Sequence, residues 1–172
     1  MIYSFRVIRM IDWKHYLERA KDLGFSAAAV MNAADLVIVP EYRKYCEENL
    51  CGNYNKLPAC PPQSGTVEEM TARVRSCRTA LILQTELTSE ENMDAACRKA
   101  KQHHNVLTEK LLDCMKQDGI DEILMMGAGP WKCHSCMSAY CVDAQKMADA
   151  VHMTCWADDG KIRLFSLLLT HE

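Results

Sequence analysis

Met93, Cys97, Ala100, His104, Leu107, Leu111 and Cys114 recur at spacings of four, three, four, three, four and three. Only an α-helix returns such positions to one face, because a turn takes about 3.6 residues. The pattern predicts a helix that opens at Thr88 or Ser89, runs to about Gln117 and is ended by Gly119. A helix of that length with one apolar stripe must lie on a partner surface. The rest of the chain supplies one. Residues 25–32, 80–85 (ALILQT), 122–126 (EILMM) and 162–169 (IRLFSLLL) are apolar runs of strand length. Further helices are expected over 11–23, stopped by Gly24, from Glu41, from the cap Thr66 to about Cys77, and over 142–151. Asp158-Asp159-Gly160 reads as a hairpin turn, with 153–156 as the partner of the last strand. Strands alternating with helices predict an α/β or α+β class: a single layered domain over 1–172, with a mixed sheet flanked by helices.

Composition excludes several functions. A net charge of −3, with no basic cluster interleaved with aromatics, gives no footprint for nucleic acid. No run approaches the roughly 18 apolar residues of a membrane span. The opening MIYSFRVIRMIDW lacks the apolar core and cleavage site of a secretory signal, so the expected location is the cytoplasm. Ten cysteines in a reducing compartment are not a disulfide framework. A chain of 172 residues also buries enough surface to fold without a metal or disulfide staple.

The cysteines therefore divide into packing residues and ligands. Cys97 and Cys114 share the helix stripe, Cys77 ends a helix and Cys155 falls in an expected strand. All four read as small core residues. His104, on the same stripe, is either a satisfied core group or a group facing a site. Cys46, Cys51 and Cys60 differ, because they lie in or beside 50–65, a loop crowded with Gly52, Asn53, Asn55, Pro58, Pro61, Pro62 and Gly65. Turns can bend several sulfurs toward one ion. Cys60 precedes proline, as does the last cysteine of bacterial ferredoxin runs. Cys133-His134-Ser135-Cys136 follows the turn Gly127-Ala128-Gly129, whose N–H groups suit anionic sulfur. A Cys-x-x-Cys needs a distant partner pair to complete a metal site, and the 46–60 loop offers one. A redox dithiol stays open for CHSC, since His134 can lower a neighbouring thiol pKa. No HExxH, Ser/His/Asp or phosphate-loop motif is present.

The run PEYRKYCEENLCGNYNKLPACPPQSGTVEEM resembles the signature of an uncharacterised bacterial and archaeal family labelled predicted metal-binding protein. Cys46, Cys51, Tyr54, Lys56, Cys60, Pro61 and Pro62 match its Cys…Cys-Gly-x-Tyr-Gly-Lys-x-Trp-x-Cys-Pro-Pro pattern. AKQHHNVLTEKL resembles its central helix, with His104-Asn105 in register, and MGAGPWKCHSC its second signature. The closing helix and strands resemble the family's as well. Asn55 stands where that family has glycine, Leu57 and Pro58 stand around its tryptophan, and Cys141 falls on a position that usually holds glycine. The second signature is shortened after Cys136. The resemblance implies a metal site that this chain has either lost or rebuilt with Cys46, Cys51 and Cys60.

The expected function is thus a protein that binds a cysteine-ligated metal, an iron–sulfur cluster or Zn²⁺, through Cys46, Cys51, Cys60, Cys133 and Cys136. Tyr54, Lys56, His104 and His134 are candidates for supporting or acid–base groups. One alternative is an enzyme using an open iron of a cluster as Lewis acid. Another is an electron carrier docking a redox partner protein, which an exposed Trp131 at the site mouth would suit and a buried Trp131 would not. A third is a metal-free family member acting as a binding module.

Overall fold

A computed structural model describes residues 10–88 and 93–172. The order of elements is α1 (Trp13–Leu23), β1 (Ala27–Asn32), α2 (Arg43–Glu47), α3 (Val67–Arg75), β2 (Thr79–Thr88), α4 (Met93–Gln117), β3 (Leu124–Met126), α5 (Ala144–Ala150) and β4 (Lys161–Thr170). The strands form one four-stranded sheet in the order β1-β2-β4-β3. The expected layering of helices on a sheet is therefore what the chain adopts. All ladders among the described residues are antiparallel, a more uniform sheet than a mixed one.

Each face of the sheet carries its own core, and the strand period of two decides which side chain joins which. Leu81, Leu83, Met125 and Leu168 pack under α1 and α4, against Tyr16, Ala20, Leu107, Leu111 and Met115. Ala80, Ile82, Met126, Leu167 and Leu169 face the other way, toward α3, α5 and the loops, against Met70, Val74, Tyr140 and Met147. Both faces are buried, which is why ALIL reads as a continuous apolar run.

The helix ends follow local chemistry. Asp12 caps α1 and accepts the His15 N–H, and Gly24 closes it at φ 108°. Thr66 and Glu69 form a reciprocal capping box at α3. On α4, Ala100, His104, Leu107 and Leu111 are buried as expected, but Cys97 and Cys114 are half-buried. Thr108, Leu112 and Met115 are buried beside them, so the covered stripe is wider than the spacing alone implied. The start expected at Thr88 or Ser89 is corrected in part: Thr88 ends β2, and 89–92 lie outside the described residues.

The expected hairpin before β4 does not form. Residues 153–157 have no strand structure. The Gln84 side chain donates to the Thr154 carbonyl at 2.7 Å, and Cys155 is buried in the core of the α3/α5 face. This segment thus crosses a face of the sheet instead of lying beside its edge. Asp159 stays exposed just ahead of β4, accepting the Lys161 N–H at 3.2 Å and pairing with Arg163.

Candidate metal centre

Three segments meet at the edge of the α3/α5 face. The strand-like segment 37–39 is strapped to 141–143: Ile38 bridges Val142, the Val39 N–H donates to the Cys141 carbonyl at 2.8 Å, and the Asp143 N–H donates to Val37 at 2.9 Å. The short helix α2 follows that strap and carries Cys46. The loop from Asn49 to Gly65 is wound on itself. Asn49 Oδ1 accepts the Tyr54 N–H at 3.0 Å, Asn55 N–H donates to the Pro61 carbonyl at 2.8 Å, and Ser64 N–H donates to Cys60 at 3.1 Å. These bonds let a segment without regular structure hold Cys51 and Cys60 in place.

Arg43 ties the three segments together. Its Nη1 donates to the Gly65 carbonyl at 3.0 Å and its Nη2 to the Ala139 carbonyl at 2.9 Å. The guanidinium also opposes the rise in pKa of the Cys46 and Cys141 thiols. Sequence reading missed Arg43. The signal was its place one helical turn before Cys46, which puts both side chains on one face of α2.

The thiols sort into an interacting group and outsiders. Burial, then the charge of Cys136, pushes the Cys46 thiol up to about 11, with Cys141 and Cys51 adding smaller effects. Cys60, 6% exposed, is raised by burial and then by Cys136 and Cys51. Cys46 and Cys60 are thus each raised by Cys136 from the other loop and by Cys51, and Cys46 by Cys141 as well. Among the described residues, no group of three or more His, Cys, Asp or Glu side chains is close enough to share an ion as the side chains stand. The donor chemistry suits a thiophilic metal, and closing the sulfurs on an ion requires side-chain movement.

Cys133 is placed differently. Trp131 and His134 exchange both backbone hydrogen bonds, at 3.0 and 2.8 Å, so Lys132 and Cys133 form the tip of a tight turn. Cys133 is exposed, and its Sγ lies 3.8 Å from His134 Nε2. Trp131 is half-buried and packs toward the α4 core, not outward as a docking aromatic. The Gly-Ala-Gly turn is not aimed at sulfur through its first two N–H groups. Gly127 N–H donates to Ser135 at 3.0 Å, and Ala128 N–H to Asn105 Oδ1 at 2.9 Å.

Of the expected supporting groups, Tyr54 is half-buried in the cysteine loop and Lys56 is exposed on it. His134 is half-buried, with burial lowering its pKa. His104 lies in the α4 layer. Its Nδ1 is 2.7 Å from Thr85 Oγ1, its Nε2 is 2.9 Å from Ser166 Oγ, and Phe25 stacks edge-on against it. It is a satisfied core histidine.

A family model described as Predicted metal-binding protein (DUF2284) matches residues 29–137, more than half of the chain. The chain belongs to this family. The match takes in Cys46, Cys51, Cys60, Cys133 and Cys136 and ends one residue past Cys136, leaving α5 and β4 outside it. No curated protein and no solved structure matches the chain.

Two residues near the thiols hold a backbone conformation that suits glycine best. Asn55 has φ 56° and Cys141 φ 57°, both in the left-handed region where only glycine is free of cost. Asparagine tolerates it better than most residues. Asn55→Gly should be near neutral, whereas Asn55→Ala should lower stability by about 1 kcal/mol. Urea unfolding of the two variants compares them; equal midpoints would contradict the assignment.

Proposed function

We propose that this chain holds a thiophilic metal, Zn²⁺ or an iron–sulfur cluster, on Cys46, Cys51, Cys60 and Cys136. The observation that supports the reading is that Cys46 and Cys60 are both raised by Cys136 from the other loop and by Cys51, with the Arg43 guanidinium beside Cys46. Four thiolates are the complement of a structural zinc or a cluster, and hard cations such as Mg²⁺ are poor partners for sulfur. Cys133 stands outside the group and is not assigned as a ligand. When bound, a cluster would supply electron transfer or a Lewis-acidic iron, and zinc would supply a fixed or Lewis-acidic charge. Arg43 offsets the negative charge that several thiolates gather and holds the two loops in register.

Metal and acid-labile sulfide analysis, with a visible spectrum, on protein purified without oxygen tests this. Iron, sulfide and broad visible absorption identify a cluster; stoichiometric zinc without colour identifies zinc. Cys60→Ser and Cys136→Ser should each lose the metal, and Cys133→Ser should keep it. Full occupancy in both of the first two variants would sink the assignment. Because the Cys46 thiol is pushed up to about 11, binding must expel its proton, and metal affinity should rise with pH.

A further inference from the structure

The two loops that carry the thiols also wall a cavity of about 240 Å³. Gln63 lines it from the cysteine loop, Cys133, His134 and Ser135 from the second signature, and Arg73 and Tyr140 from behind. No carboxylate is among its lining residues. Arg73 is fixed there, with Nη1 donating to the Ser64 carbonyl at 2.7 Å and the guanidinium hydrogen-bonded to the Tyr140 hydroxyl. Tyr140 is 4% exposed, and its phenol is raised by burial, so it stays protonated. A guanidinium has five N–H donors, and these two bonds leave others for a ligand. An amide and a serine hydroxyl complete a wall rich in donors.

We propose that this cavity binds a small oxyanion, the carboxylate or phosphate of a small molecule, on Arg73 and Tyr140, with the Cys133 thiol at its wall. A guanidinium matches either group through paired, charge-assisted bonds. The volume falls below the roughly 300–1,000 Å³ of pockets for larger ligands, so the occupant is small. The cavity takes Pro58, Gln63 and Ser64 from one thiol-bearing loop and Cys133 and Ser135 from the other. The inference deepens the proposed function by placing a ligand beside the metal, and it rests on that reading for this role alone.

Cys133 is the reporter. Full-length protein as purified, with its metal content measured in the same sample, is alkylated with iodoacetamide. Labelling is followed residue by residue by peptide mass spectrometry. Succinate or inorganic phosphate should slow Cys133 at least fivefold relative to chloride of equal ionic strength, with Cys114 on α4 unaffected. Whichever protects at lower concentration identifies the headgroup. Arg73→Met should raise the protecting concentration about tenfold, the worth of one charged hydrogen bond. Arg73→Lys, which keeps the charge, should retain part of the protection. Equal labelling at every anion concentration, or protection unchanged in Arg73→Met, overturns the proposal. So does a Cys133 that reacts only after metal removal, since it would then be a ligand. Protection in protein that holds no metal sinks the metal assignment and leaves this site standing; metal without protection does the reverse.

Discussion

Asn105→Leu should destabilise the fold by about 2–5 kcal/mol and speed exchange of the Ala128 amide far more than that of the Leu168 amide. Asn105 projects from α4 and is 2% exposed. Its Nδ2 donates to the Ala128 carbonyl at 3.1 Å while its Oδ1 accepts the Ala128 N–H at 2.9 Å. One side chain thus satisfies both backbone polar groups of one buried residue. Leucine matches it in size but leaves two groups orphaned, each costing about 1–3 kcal/mol. The turn beside it is tightly packed: a Cβ on Gly127 would stand 2.7 Å from the Gly129 carbonyl oxygen. The same turn leads into Cys136, so metal affinity should fall together with stability. Urea unfolding and amide exchange check this. A midpoint shift worth less than about 0.5 kcal/mol would show that the clamp is not needed.

Acidification should weaken the protein through His104. Burial first, and the charge of His103 second, lower its pKa from 6.5 to about 4. Thr85, Ser166 and Thr108 surround it with hydroxyls and Phe25 with a ring, none of which can neutralise an imidazolium. Between those two values the unfolded chain holds a proton that the folded chain refuses. The stability of neutral His104 is therefore complete above about pH 6.5 and is lost as pH falls toward 4. The loss is roughly 1.4 kcal/mol per pH unit, about 3 kcal/mol in all. His104→Gln should start less stable but show a shallower decline. The difference between the two urea-midpoint curves, measured with chelator and reductant in both, isolates this group from the carboxylates. Parallel curves would mean that His104 takes up its proton as readily in the folded state as in the unfolded chain.

Two kinds of site residue differed in how legible they were. Cys46, Cys51 and Cys60 stood out because they lie in a loop too rich in turn residues to be packed, where a thiol has few structural reasons to be. Cys133 and Cys136 looked equivalent, two ends of one Cys-x-x-Cys. The tight turn between Trp131 and His134 separates them, presenting Cys133 to the cavity and leaving Cys136 near the other loop. Spacing cannot show that, because backbone pairing across a turn depends on what the turn packs against. His104 was ambiguous for a related reason. A histidine on an apolar stripe is explained only by its cross-strand neighbours, and Thr85 and Ser166 come from β2 and β4, both distant in sequence. The hairpin expected before β4 failed because Asp-Asp-Gly encodes a turn but not the strand that should return from it.

Helix existence, helix caps and four of the five expected strands were set by the sequence itself, since period, capping chemistry and glycine act over a few residues. Gly24, Thr66 and Gly119 stop and start their helices at the expected places. Only the tertiary structure decided the strand order, the crossing of 153–157 over the sheet, and the tie that Arg43 makes to the Gly65 and Ala139 carbonyls beside Cys46. Those outcomes rest on contacts between segments far apart in the chain, whose energies depend on which surfaces the whole fold brings together and which it leaves to solvent.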